Sequence, residues 1–398
     1  MNILFYTVFE VSPLKGGTER ITDTIATCLQ NSFGVKVFSA YSIPINPEFE
    51  RTKFSAVSRV PFDKDFERKL YDCVKQYDID IIINQGLGLT ASMKSVLNKF
   101  PNKYLISVHH FNPGAEKNFF NLHHTLYELK TSKSLKSFIR HCITLAFYPI
   151  LKSIDRKKQI NIYRQTYNNS DRVVLLSENF KDEWKAYAGI QDDSKFAYIH
   201  NALSFKTFFD IKDYGSKKKE VLIVSRLDER QKRLSLALKI WKTIEKNPQL
   251  DNWKLTIVGH GDEYLKMYKD YIRRENLQRV SLEGAQKPVE YYKRASLFLL
   301  TSAYEGWGLT LTEAQQFGVV PLAFNSYASL TDIITDGKNG YVIPNDDLDL
   351  YTEKLSALML DDGLRKQMAL NSIRSSKRFT DEKICCEWMN LLNQVMAG

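Results

Sequence analysis

Two glutamates, Glu305 and Glu313, stand eight positions apart in the segment Ser302–Gly318 (SAYEGWGLTLTEAQQFG), which follows an apolar run, Leu297–Thr301, and turns into a helical pattern. A strand that feeds a Gly-containing loop and then a helix leaves the first amides of that helix without intrahelical partners. The positive end of the helix dipole lies beside them, and the combination suits phosphate oxygens. Trp307, Gly308 and Leu309 are the backbone that would supply the donors. Glu313, one helical turn past Leu309, can reach a hydroxyl on the same ligand, which leaves Glu305 for the ligand's other end. A diphosphate held between two carboxylates, one for a ribose and one for a second sugar, describes a nucleotide sugar. Spacing alone equally describes an ordinary loop with a solvated Glu305 and a glutamate capping its helix.

A second cluster, Ser225–Arg233 (SRLDERQKR), begins at the end of another apolar run and places Arg226 and Lys232 six apart. Two cations converging on a pyrophosphate would neutralise the charge that grows on a departing nucleotide; by itself the run also reads as a solvated face. Near the N-terminus, Lys15-Gly16-Gly17-Thr18 lies in a first strand-to-helix turn, where glycine permits close backbone approach, without the G-x-G-x-x-G of a dinucleotide site. His109 and His110 end the run Tyr104–His109, where a neutral imidazole could bond a sugar hydroxyl or assist proton transfer, or simply be structural. His123, His124, His141, His200 and His260 show no metal-like spacing, and the five cysteines form no C-x-x-C pair, which reads as reduced, mostly buried thiols.

These segments need a scaffold that brings strand ends together. Short β-branched and aromatic runs alternate with helical patterns: Asn2–Thr7, Val35–Ala40, Ile79–Asn84, Tyr104–His109 and Arg172–Ser177, and again from Val221–Ser225 to Tyr341–Ile343. Strands interleaved with helices predict parallel sheets covered on both faces, which bind ligands beyond the carboxyl ends of their strands. The reading is α/β, two Rossmann-like domains facing each other across a cleft, over residues 1–205 and 206–380. The polar run Asp210–Glu220 is expected to be exposed linker, and a terminal helix over 381–398 to pack back on the first domain.

A formal charge of +10 favours an anionic partner. The basic residues match no nucleic-acid-binding motif, so no nucleic acid is expected. The N-terminus lacks the features of a secretory signal, and no apolar run approaches the roughly 20 residues of a membrane span. From Leu129 to Arg164, however, many Lys and Arg residues and a single acid, Asp155, flank apolar side chains. That pattern fits either an interfacial segment on anionic lipid or a helix packed within the first domain.

Together the pieces resemble the GT4 family of retaining glycosyltransferases with the GT-B fold. Its E-x7-E signature is matched by Glu305 and Glu313 inside AYEGWGLTLTEA, with SRLDERQK, VGHGDE, KRASLFLL and DIITDGKNGYVIP around it, and more loosely by GGTER and the strand ending in His109. The resemblance implies that Arg226 and Lys232 bind the diphosphate, Glu313 the ribose and Glu305 the transferred sugar. It further implies that the backbone from Gly306 to Leu309 binds phosphate, that Gly16 and Gly17 line the cleft opposite, and that His109 lies near the reacting sugar. It implies a UDP-linked hexose as donor, with GDP the alternative, no cofactor or metal, and a saccharide acceptor, free or lipid-linked. The expected setting is cytoplasmic, peripheral to the inner face of a bacterial membrane, in capsule, O-antigen or other surface-glycan synthesis; a catalytically inactive scaffold of that fold is the alternative.

Overall fold

A computed structural model of the chain describes all residues except 14, 15, 47, 49, 116–121, 123, 124, 127, 128, 130, 131 and 133, so that Lys15, His123 and His124 lie outside the described residues. The chain divides into two units, Met1–His200 with Ile384–Gly398, and Asn201–Lys383.

In the first unit, β1 (Asn2–Phe9), α1 (Gly17–Phe33), β2 (Lys36–Ile43), β3 (Val57–Arg59), α2 (Phe66–Gln76), β4 (Ile81–Asn84), α3 (Thr90–Leu97) and β5 (Tyr104–His109) follow one another along the chain. Then come α4 (Leu135–Ala146), α5 (Tyr148–Asn169), β6 (Arg172–Leu175), α6 (Lys181–Ala188) and β7 (Phe196–Tyr198). The strands form one parallel sheet in the order β3-β2-β1-β4-β5-β6-β7. All four residues of β4, IIIN, are buried, as a central parallel strand covered on both faces requires. Leu4, Tyr6, Ile82 and Leu105 from the sheet pack with Leu70, Val74, Met93 and Val96 from α2 and α3.

The second unit holds β8 (Glu220–Val224), α7 (Glu229–Lys232), α8 (Leu234–Glu245), β9 (Lys254–Val258), α9 (Asp262–Arg274), β10 (Val280–Gly284), α10 (Val289–Arg294) and β11 (Leu297–Leu300). It continues through α11 (Leu309–Gln316), β12 (Val320–Asn325), α12 (Leu330–Ile333), β13 (Tyr341–Pro344), α13 (Leu348–Leu360) and α14 (Asp362–Ser376). Its parallel sheet runs β10-β9-β8-β11-β12-β13, with Val221, Ile223, Leu255, Leu297 and Leu322 packed with Leu238 and Trp241 of α8 and Leu355 of α13. The last helix, α15 (Asp381–Ala397), follows, and from Ile384 onward the chain is part of the first unit.

The run Asp210–Glu220 is largely exposed, as expected, but it is anchored in the second unit rather than a free linker. Ile211–Ser216 forms a 3-10 turn whose Tyr214 is buried in the second unit's core. Lys217 donates to the carbonyls of Phe317 at 2.7 Å and Tyr292 at 2.9 Å, and burial pushes its ammonium down to about 7. Lys217, which composition marks as solvated, thus closes the ends of α10 and α11. All five cysteines are free, with Cys142 and Cys386 exposed.

Candidate active site

In a doubly wound sheet the loops leaving two adjacent strands diverge where strand order reverses, and the crevice opens there. In the second unit the reversal falls between β8 and β11. Arg226 and Lys232 follow β8, Glu305 follows β11, and these two loops are stitched together. Asp228 caps α7 by accepting from Arg230 N at 3.0 Å, and Arg233 ends it in the left-handed conformation at φ 48°. From there the Arg233 guanidinium donates to the carbonyls of Thr301 at 2.8 Å and Ser302 at 3.0 Å. Ala303 N donates to Gln231 O at 2.7 Å, and the Thr301 hydroxyl to Lys232 O at 2.9 Å.

This stitching brings Lys232 Nζ to 2.5 Å from Glu305 Oε1, which also accepts from Ser302 Oγ at 2.6 Å. The two charged side chains are only 14% and 10% exposed, so Glu305 is not the solvated carboxylate of an ordinary loop. Arg226 is steadied by its Nη2 donating to Gln231 Oε1 at 2.8 Å, while Gln231 Nε2 reaches Tyr304 O at 3.2 Å. Gln231 therefore ties the cation on one loop to the backbone beside the glutamate on the other.

Glu313 sits on α11 and is 1% exposed. Tyr292 donates its hydroxyl to Glu313 Oε2 at 2.9 Å, and the Tyr292 ring lies parallel to Phe317 with centroids 6.0 Å apart. The sequence places Gly306–Leu309 at a helix start, and α11 begins at Leu309 with Gly308 as its N-cap at φ 88°. Ser329 Oγ donates to Gly306 O at 2.8 Å, and Trp307 is buried against Phe379. A Cβ on Gly308 would lie 2.8 Å from the Tyr327 hydroxyl, itself buried without a hydrogen-bond partner among the described residues; burial, with the Glu305 charge second, holds that hydroxyl well above its ordinary range and so neutral. Gly308→Ala is expected to lower transfer about 100-fold, the scale of an ångström-level misplacement, because both backbone strain and contact displace the helix start. Wild-type transfer by a folded Gly308→Ala protein would show that phosphate does not bind at this turn.

A cavity of about 300 Å3 opens at the carboxyl ends of β9 and β10, lined by Leu227, Gly259, His260, Gly261, Glu283 and Gly284 among others. Gly259 and Gly261 have φ of 150° and 154°, and the loop is pinned to the Arg226 turn by Leu227 N donating to His260 O at 2.8 Å.

In the first unit the order reverses between β1 and β4. Gly16 caps α1 after β1, and a Cβ there would meet only the Glu19 carboxylate, at 2.5 Å; Gly17 is exposed at the helix start. The two histidines part company. His109 is 2% exposed and its Nε2 lies 3.3 Å from the Tyr163 hydroxyl. His110 Nε2 lies 2.5 Å from Gln85 Oε1 in the loop after β4, and burial, with His109 second, depresses its pKa to about 3, so the ring is neutral at physiological pH. Among the described residues no group of three or more His, Cys, Asp or Glu side chains is placed to hold a metal ion.

Sequence models of the families "Glycosyltransferase Family 4" and "Glycosyl transferases group 1" match residues 15–205 and 204–375, the first spanning β2 to β7 and the second β8 to β13. The chain belongs to the family 4 glycosyltransferases. Over 233 residues it is 30% identical to the amylovoran biosynthesis glycosyltransferase AmsD of Erwinia amylovora, covering 57% of this chain and 63% of that protein. Over 199 residues it is 28% identical to the GalNAc-alpha-(1->4)-GalNAc-alpha-(1->3)-diNAcBac-PP-undecaprenol alpha-1,4-N-acetyl-D-galactosaminyltransferase of Campylobacter jejuni, covering 50% and 53%. The chain thus spans less than two thirds of the length of either relative. The crystal structure of Anabaena HepE in complex with UDP-glucose superposes with a TM-score of 0.70 at 16% identity, covering 99% of this chain and 100% of that chain, which places the fold in the GT-B class. Gln231, Ser302, Tyr292 and Tyr327 escape a reading by spacing because their roles come from contacts between loops distant in sequence. The YY pair at 291–292 is the one legible trace of Tyr292.

Proposed function

We propose that the chain transfers a hexosyl group from a UDP-linked sugar to a lipid-linked saccharide, with retention and without a metal, in the synthesis of a bacterial surface glycan. The observation that carries this is the contact between Lys232 and Glu305 beside the anchored Arg226. A cation pair and the start of α11 meet the two charges of a diphosphate, and the acid between them is left to accept from sugar hydroxyls. As the glycosidic bond breaks, charge gathers on the leaving UDP, where Lys232, Arg226 and the amides after Gly308 stabilise it in a site already formed. Glu313, oriented by Tyr292, takes the ribose, and the base occupies the glycine-lined cavity next to Leu227. Gly16, Gly17 and His109, at the carboxyl end of the first sheet, are assigned to the reacting sugar and acceptor.

The HepE complex with UDP-glucose supports the choice of UDP, the undecaprenol in the Campylobacter enzyme's name the lipid carrier, and the amylovoran enzyme the surface glycan. We place the reaction on the cytoplasmic side, where nucleotide sugars are made. A panel of UDP- and GDP-sugars screened at one common concentration should single out a UDP-sugar, which at 100 times its dissociation constant adds about 2.7 kcal/mol of stability. A unit of this size then melts about 5–10 °C higher. If no nucleotide sugar raises the melting point, the reading fails. With the donor in hand, transfer should persist in EDTA, and NMR of the product should show the donor's anomeric configuration; an inverted centre overturns retention.

A further inference from the structure

The basic and apolar stretch in the first unit is neither packed in the core nor a loose surface. It forms two consecutive helices, α4 and α5, joined at Phe147. The far half of α5 is fixed in the unit: Tyr163, Thr166 and Tyr167 are buried, and the Thr166 hydroxyl donates to Leu87 O at 2.5 Å. The near half and α4 are different, since His141 is the one fully buried residue of α4. Leu135, Ile139 and Ile143 recur every four residues along one stripe of α4, and Phe147, Ile150 and Ile154 follow at the joint and in the first half of α5; each is at least 50% exposed. Six large apolar side chains half or more in water on neighbouring turns are far from the scattered exposure normal for a soluble surface.

Charge decides what covers them. Lys136, Arg140, Lys152, Arg156, Lys157 and Lys158 are all exposed on the same two helices, and between residues 135 and 158 Asp155 is the sole acid. We infer that α4 and the first half of α5 form a membrane-docking surface for bilayers with anionic headgroups. The apolar stripe enters the acyl boundary while the long basic side chains extend to the phosphates. No described helix is long and apolar enough to cross a membrane, so these helices lie along the interface, carried by the stiff continuation of α5 into the core.

The full chain, centrifuged through a density gradient with vesicles, tests this without any sugar transfer, so its failure is separate from failure of the proposed reaction. At low salt it should float with phosphatidylcholine vesicles containing phosphatidylglycerol, not with phosphatidylcholine alone, and be released by 0.5 M salt. Lys152→Gln, Arg156→Gln and Lys157→Gln together should weaken partitioning on the order of 100-fold, about fivefold for each basic residue lost. Ile143→Ser with Ile150→Ser should abolish it, with an unchanged melting curve. These charge changes lie wholly in solvent, so the triple variant reads out even where the serine pair fails to fold. No flotation, or equal flotation on both lipids, overturns the inference. So does a concentration-dependent dimer in sedimentation that the serine pair dissolves, which would make the stripe a contact between copies of the chain.

Discussion

Lys232→Ala is expected to lower sugar transfer by at least about 100- to 1,000-fold, the loss typical when one preorganised group facing developing charge is removed. The expected stability change is separable from that loss. Lys232 is the cation on Glu305, whose side chain is 10% exposed, so the alanine leaves a carboxylate with Ser302 as its remaining partner at 2.6 Å. Breaking a buried pair from one side costs about 3–5 kcal/mol, and the slight exposure here puts the expectation near the lower figure. Adding Glu305→Gln removes the stranded charge while keeping an acceptor for Ser302, so the double variant should melt close to wild type yet remain inactive. Donor turnover and thermal denaturation of the single and double variants check both halves. A Lys232→Ala protein that turns over at the wild-type rate would remove the leaving-group role. Glu313→Ala should behave differently: activity falls, and the Tyr292 hydroxyl loses the acceptor it holds at 2.9 Å, a hydrogen bond to a charged group worth about 1.5–3 kcal/mol.

What the sequence reveals of this site follows from which physics is local. The central strands are legible because a parallel strand buried on both faces must be a continuous apolar run, and Tyr104–His109 matches its predicted bounds. The edge strands Val57–Arg59 and Phe196–Tyr198 are not, since three half-exposed residues paired on one side need no such run. Glu305, Lys232, Arg226 and Glu313 are legible as strand-end and helix-start positions in a repeating β/α rhythm. Their partners are not: Gln231 meets Tyr304 across 73 positions, and Arg233, which reads as one more charge in a basic run, is the side chain that binds the β8 and β11 loops together. Within the polar run 210–220 Lys217 misleads for the same reason, since it becomes structural only when the ends of α10 and α11 present it with two carbonyls. For His109 and His110, adjacent positions on one strand end hide opposite surroundings, one ring against Tyr163 and the other on Gln85.

The second large effect is expected from Gly259→Ala, a change of one methyl group outside the charged cluster. At Gly259 φ is 150°, and an added Cβ would lie 1.7 Å from the Ser225 carbonyl oxygen. No side-chain rotation relieves that contact, because the obstacle is the backbone that leads into Arg226. Nor can the loop retreat: Gly259 N is held by Gly284 O at 2.8 Å on one side, and Leu227 N by His260 O at 2.8 Å on the other. Either the β8–β9 ladder opens at its carboxyl end or the Arg226 turn swings away, and both dismantle the proposed donor site. A loss on the order of 4 kcal/mol is expected, in the range reserved for a few named mechanisms such as backbone strain, lowering the melting point of a unit this size by about 8–16 °C. Gly284→Ala is the control, because its φ is also positive, at 71°, but nothing lies within 4 Å of its Cβ position. It should lose only the roughly 1 kcal/mol of a left-handed alanine. Equal melting points for the two variants would mean that the strand ends flex enough to admit the methyl. The rigidity that holds Arg226 against Gln231 before any donor arrives would then have to come from the α7 turn alone.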